Sequence, residues 1–215
     1  IILPDISETL DAPYIKGKYE RIPEGGTTIK EIKDMANSVA TIEMGYLIDG
    51  VISPGTYLSE KFGVPLYKCK LPIGLANSDK FIKLIAEVTG KEIPLGIKKE
   101  RGRMLDGMID SHKYNGEGKA ALFGEPELLA AVYDLLSENG IFPAVVATGT
   151  KLSGLSEKIQ QNSLWKNKED TVILEDSDFN TIREESLKRG VNVLVGTSEG
   201  AFMEEKDGFP LVRIG

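Results

Sequence analysis

Strand-length apolar runs alternate with amphipathic stretches through most of this chain, and several of those stretches stop at a glycine. That alternation constrains the fold more than any other feature. A strand–helix–strand repeat buries both kinds of element only as a mostly parallel sheet flanked by helices. Residues 119–123 predict a strand, and Gly124-Glu125-Pro126 opens a helix with Pro126 near its first position, where a missing N–H leaves nothing unpaired. Leu128, Leu129, Val132, Leu135 and Leu136 fall on one face of that helix, and Gly140 is a natural stop. Residues 142–147 predict a second strand, 153–161 a helix and 171–174 a third strand. A helix over 178–189 ends at Gly190, followed by strands at 191–195 and 210–214. The result is a doubly wound unit.

The N-terminal half is less regular. Residues 1–3 read as a strand and 14–23 as a loop. Thr28-Ile29-Lys30-Glu31 fits a capping box that opens a helix to about residue 38. Strands are expected at 39–44 and 64–67, with helices at 54–62 and 78–89, the latter closed by Gly90. A long helix over 97–114 follows and joins the two halves.

Composition then removes whole classes of function. With 26 Lys+Arg against 33 Asp+Glu the formal charge is −7, and broad binding to nucleic acid or an anionic membrane needs a basic surface. No apolar run approaches the roughly 20 residues that span a bilayer. The single cysteine, Cys69, rules out an internal disulfide, as befits a reducing, cytoplasmic location. It also leaves the chain far short of the roughly four ligands that hold an iron–sulfur cluster. With His112 the only histidine, the chemistry narrows to carboxylates, backbone amides or groups supplied by another component. No residue stands out as a catalyst or as a cofactor ligand.

The helix over 97–114 is the most informative stretch. At about 100° per residue, Ile97, Met104, Leu105, Met108, Ile109 and His112 share one arc, and Asp106 and Asp110 lie on another face one turn apart. Like charges at that spacing repel by a few tenths of a kcal/mol, roughly, on an exposed helix. A cation between them relieves this, and carboxylate oxygens suit Ca²⁺, Mg²⁺ or another hard ion. Two carboxylates are too few for a full shell, so a partner surface has to complete it. The plainer alternative is that Arg103 and Lys113 neutralise them. His112, inside the apolar arc, reads as a hydrogen-bonded core or interface residue, and the basic run 98–103 as a solvated face. Gly124, Thr148-Gly149-Thr150 and Gly196-Thr197-Ser198 sit at βα junctions, where a parallel sheet can receive an anion. Neither the dinucleotide fingerprint nor the P-loop is present, so these residues are explained by turn chemistry. Trp165, followed by Lys166-Asn167-Lys168, reads as a loop anchor.

Glu100-Arg101-Gly102-Arg103, Asp106 and Asp110-Ser111-His112, in that spacing, resemble the signature of the nitrogenase component 1 family, in particular its molybdenum–iron beta chains. Gly25-Gly26-Thr27-Thr28 with Glu31, Pro72-Ile73-Gly74 with Ser78-Asp79-Lys80-Phe81, and Thr89-Gly90-Lys91 with Pro94 agree in order. So do Leu122 to Glu127, where the family usually carries Gly-Asp-Pro, and Pro210 to Gly215. The resemblance implies an α/β fold of two Rossmann-like parallel-sheet domains joined by a long helix. The expected division is a partial domain over 1–96, the linking helix over 97–115 and a second domain over 116–215. It also implies a heterotetramer of alpha-type and beta-type chains. That assembly takes electrons from an ATP-dependent iron protein, through an iron–sulfur P-cluster, to a cofactor that reduces dinitrogen. The P-cluster cysteines of the family have no counterpart here, and the chain opens without methionine, so a C-terminal portion of a longer subunit is expected. Such a portion holds no cofactor of its own and is colourless and inactive alone. In the family the two helix aspartates help bind a cation, calcium or iron, between two beta chains, and Asp106 and Asp110 match them. Two other readings stand beside this one: part of the cofactor-assembly scaffold of the same family, and a stand-alone anion- or nucleotide-binding α/β domain.

Overall fold

The structure is a computed structural model that describes residues 1–9, 11, 13, 16, 17, 25–47, 50–152, 154–160 and 170–214. Packing divides the chain into two compact units, one of Ile1–Glu43 with Val51–Tyr67 and one of Met44–Gly50 with Lys68–Gly215.

In the first unit, helix α1 spans Ile29–Asp34 and runs on into a 3₁₀ turn at Met35–Asn37. Its capping box forms as expected: the Glu31 amide donates to Thr28 Oγ1 at 3.2 Å, and the Thr28 amide donates to Glu31 Oε2 at 2.9 Å. Strand β1 is Thr41–Glu43, helix α2 is Pro54–Phe62, and β2 is Leu66–Lys68, paired with β1 in a two-stranded sheet. Ser53 caps α2 by accepting from the Thr56 amide at 3.1 Å, and Gly63 (φ 72°) ends it. Residues 1–3 form no strand. Ile1 and Ile2 are 61% and 69% exposed, and an apolar run without a neighbouring strand has no ladder to join. The loop expected over 14–23 lies almost wholly outside the described residues.

The second unit opens with helix α3, Leu75–Thr89, and helix α4, Leu95–Asn115. Then follow β3 (Lys119–Phe123), α5 (Pro126–Glu138), β4 (Phe142–Ala147), α6 (Leu155–Gln160), β5 (Val172–Leu174), α7 (Phe179–Lys188) and β6 (Val193–Gly196). Helix α8 (Ala201–Asp207) and strand β7 (Leu211–Arg213) complete it. All four strand pairs are parallel, in the order β5-β4-β3-β6-β7. The chain starts in the middle, winds outward one way and then returns to wind the other way, which is the doubly wound topology. The α/β fold expected from the alternation is the fold found.

The inner strands β3, β4 and β6 are buried on both faces over most of their length, so they read as nearly unbroken apolar runs. On one face Ala120 and Leu122 pack with Leu129, Tyr133, Val146 and Ile159, brought by β4, α5 and α6. On the other, Ala121 and Phe123 pack with Val145, Ile182, Leu194 and Met203. Burying each of the larger side chains contributes about 1.5–3 kcal/mol, which is why the central strands carry the stability. Pro143 sits inside β4 without penalty, because the register with β3 slips between Ala120 and Ala121 and β5 pairs only from Val145 onward. Among the described residues no helix is long and apolar enough to cross a membrane.

Candidate functional site

Helix α4 has no buried residue along its 21 positions. Met104, Leu105 and Met108 of the apolar arc are half-buried, while Ile97 and Ile109 are 41% and 70% exposed. Its orientation is fixed instead by polar and close contacts. The Arg101 guanidinium forms a bidentate pair with Asp79 of α3, Nε to Oδ1 at 2.8 Å and Nη2 to Oδ2 at 2.9 Å. Hydrogen bonding to Arg101 holds the Asp79 carboxyl below the usual carboxylate range, with the Arg101 and Lys83 charges adding to the effect. Three turns further on, the His112 ring lies over Gly140, where a Cβ atom would come within 2.8 Å of Cε1. His112 is exposed, so of the core and interface readings suggested by its place in the apolar arc the core one does not hold. A glycine at the end of α5 is what allows a ring to rest there.

Arg101 and His112 share a face because eleven residues are close to three whole turns. Asp106 and Asp110 therefore point away from that face, and both are exposed. Neither basic residue expected to neutralise them does so. Arg103 pairs with Glu100, and the Lys113 ammonium sits 5.0 Å from the Tyr114 ring centroid. The two carboxylates are thus an open pair of hard oxygen donors, fit to form part of a cation shell. No cluster of three or more metal-ligating side chains occurs among the described residues, and two carboxylates alone would be only part of such a shell.

The residues present do not fit an iron–sulfur cluster. Cys69 is half-buried, and burial, then the negative charge of Glu127, pushes its thiol up. A single protonated thiol is the opposite of a set of thiolate ligands.

The carboxyl edge of the five-stranded sheet is equally unsuited to an anion. Where strand order reverses, between β3 and β6, the Phe123 ring fills the space above Gly196 and meets Phe179 edge-to-face at 5.6 Å. The turn into α5 carries Glu125 and Glu127, and Glu127 Oε1 accepts from the Leu47 amide at 2.6 Å. After β6 comes Glu199, whose carboxyl a hydrogen bond from Thr197 holds below its usual range. Carboxylates at a helix N-terminus already answer its dipole and repel a second anion. Thr148, at the end of β4, is buried and accepts from the Thr150 amide at 3.1 Å, which is ordinary turn chemistry. Trp165 and the lysines beside it lie outside the described residues.

Two polar networks that no local spacing reveals hold α3 to α5. The buried Lys70 ammonium donates to Asp134 Oδ2 at 2.8 Å, and Asn77 Nδ2 donates to the same oxygen at 3.0 Å. Glu138 accepts from the Leu75 and Ala76 amides at 2.6 and 2.9 Å, and so caps α3 from another helix.

The sequence pattern of the family described as nitrogenase component 1 type oxidoreductase matches residues 3–215. The nitrogenase molybdenum–iron protein beta chain of Clostridium pasteurianum is 34% identical over 215 residues, which is all of this chain and 46% of that one. The corresponding chain of Methanothermobacter marburgensis is 31% identical over 219 residues, covering 47% of its length. The nitrogenase iron-iron protein beta chain of Rhodobacter capsulatus is 29% identical over 211 residues, covering 45%. Among solved structures, nitrogenase Cp1 at pH 6.5 superimposes with a TM-score of 0.89 at 32% identity, over 98% of this chain and 45% of that chain. The chain spans about half the length of the curated relatives it matches.

Proposed function

The chain belongs to the nitrogenase component 1 type oxidoreductase family, and on that footing we propose that it gives structural and subunit-interface support within a beta-type subunit of a nitrogenase. The observation that carries the reading is likeness over the whole chain, 34% identity without a break in coverage. The alignment extends over the long-helix motif as well as the sheet. In the intact assembly, an alpha-type sister subunit and a second beta-type chain complete a cytoplasmic heterotetramer. An ATP-dependent iron protein delivers electrons through a P-cluster for dinitrogen reduction. This chain contributes no cluster ligand, since Cys69 is alone and its thiol stays protonated at neutral pH. Its part is mechanical and electrostatic: the five-stranded sheet supports α5, the polar networks fix α3, and Asp79 with Arg101 fixes α4. Helix α4 then presents Asp106 and Asp110 outward, as two of the oxygen donors for a calcium or iron ion shared between beta-type chains.

A chimera tests this. Residues 1–215 replace the matching segment of the Clostridium pasteurianum beta chain, expressed with that organism's alpha chain. The expected result is a co-purifying heterotetramer that reduces dinitrogen with its iron protein. A folded chimera that leaves the alpha chain unbound would overturn the assignment.

A further inference from the structure

Helices α3 and α4 enclose a groove with a volume of about 660 Å³. Its two walls have matching periodicity. On α3, Leu75 and Ile82 are seven residues apart; on α4, Ile97 and Met104 are seven apart, and Ile93 closes one end. Seven residues are two helical turns, about 10.5 Å, so each wall offers apolar side chains at the spacing with which a third helix presents its own stripe. The apolar surface does not stop at the groove, because Leu95 beyond it is 66% exposed. A site of this length and openness suits a polypeptide better than an enclosed small molecule.

Charge selects the kind of polypeptide. The two acidic residues of the groove are already engaged, Asp79 with Arg101 and Glu100 with Arg103. Lys83 and Lys98 remain as a cationic surplus on a chain whose net charge is −7. Lys98 has no ion pair among the described residues. We propose that this groove receives an amphipathic helix of another polypeptide, one whose apolar stripe is flanked by acidic side chains. The groove chemistry does not depend on family membership, so a failed chimera and a failed docking experiment are separate results.

The probe is a synthetic helical peptide of about 18 residues with leucines at i, i+4 and i+7, made in a glutamate-flanked and a lysine-flanked form. Each is titrated into the full 215-residue chain, followed by fluorescence anisotropy and by the methyl resonances of isoleucine and methionine. The expected result is saturable binding of the acidic peptide with shifts at Ile82, Ile93 and Met104. The basic peptide is expected to bind at least about tenfold more weakly. Lys98→Glu, on an exposed side chain without an ion partner among the described residues, is expected to reverse that preference while leaving the fold intact. Equal affinity of the two peptides, or binding that leaves the Ile82 and Met104 methyls unmoved, overturns the proposal. So does saturation of the same methyls by decanoate while the acidic peptide fails to bind, which would make the groove a small-molecule pocket.

Discussion

One added methyl group has opposite effects at two glycines of this chain. At Gly196 a Cβ atom would run into the ring and carbonyl of Phe123, which is 2% exposed and braced edge-to-face by Phe179. With no room for the ring to retreat, Gly196→Ala is expected to destabilise by about 1–3 kcal/mol through overpacking. Gly102 lies inside α4 with nothing within 4 Å of the position a Cβ would take. Gly102→Ala is expected to stabilise by about 0.5–1 kcal/mol, from lost unfolded-state freedom and better helix propensity. Urea unfolding of the two variants measures both, and a Gly196→Ala variant as stable as the parent would remove the close contact from the account. Acid dependence belongs at this scale too. Arg183 binds Asp207 through Nε and Nη2, both at 2.6 Å, and this hydrogen bonding holds the Asp207 carboxyl below its usual range. Asp79 and Asp178 are held low in the same way, by Arg101 and by the Thr181 amide. A carboxyl depressed in the folded state contributes stability above its unfolded pKa, near 3.9 roughly, and loses it as pH falls through the lower folded value. Thermal melts are therefore expected to hold steady from neutral pH down to about 5 and to decline below about 4. In Asp207→Asn the decline is expected to be shallower.

At the scale of elements, the position of α3 depends on carboxylates that belong to α5. Gly74, the N-cap of α3, has no side chain with which to cap it, and Glu138 takes over that work at the Leu75 and Ala76 amides. Beside it, Lys70 and Asp134 form an ion pair with side chains only 6% and 13% exposed. Asp134→Ala leaves a buried ammonium without its partner and is expected to cost about 3–5 kcal/mol. Replacing both, as Lys70→Met with Asp134→Leu, is expected to cost far less, because the desolvation penalty leaves with the charges. Denaturant titration of the single and double variants decides it: equal losses in the two would mean that packing, not the unpaired charge, sets the cost. These networks also mark where the sequence stops being legible. Helix α2 and strands β3 and β4 begin and end where their punctuation predicts, at Ser53-Pro54 and Gly63 or at the edge of a fully apolar run. Helix α8 is not legible in the sequence because it has seven residues and only Met203 is buried, too short for a period to emerge. The open pair of Asp106 and Asp110 was visible as spacing, since one turn of helix is a local property. Arg103's choice of Glu100, and the reach of Arg101 across 22 residues to Asp79, were not, because they depend on where other side chains and a neighbouring helix lie.

At the scale of the whole chain, the donor inventory limits the metal chemistry open to these 215 residues by themselves. One protonated thiol and one histidine cannot supply the roughly four ligands of an iron–sulfur cluster. Anaerobic reconstitution of the purified chain with iron and sulfide is accordingly expected to leave it colourless, and a brown product would overturn this account of Cys69. The proposed cation site has a different logic, because two carboxylates alone make an incomplete shell. Calcium takes 6–8 oxygen ligands, about, and sites with few fixed ligands bind weakly. Calorimetric titration of the chain alone is expected to show affinity no tighter than about 10⁻⁴ M. In the assembled chimera, where a second beta-type chain can add its donors, the same titration is expected to give tight binding that Asp106→Asn removes. Submicromolar affinity in the isolated chain would mean that α4 completes the site without a partner. Tight binding in the chimera that survives Asp106→Asn would place the ion elsewhere. The contrast between the two preparations, more than either measurement by itself, tests whether the outward face of α4 is half of a shared site.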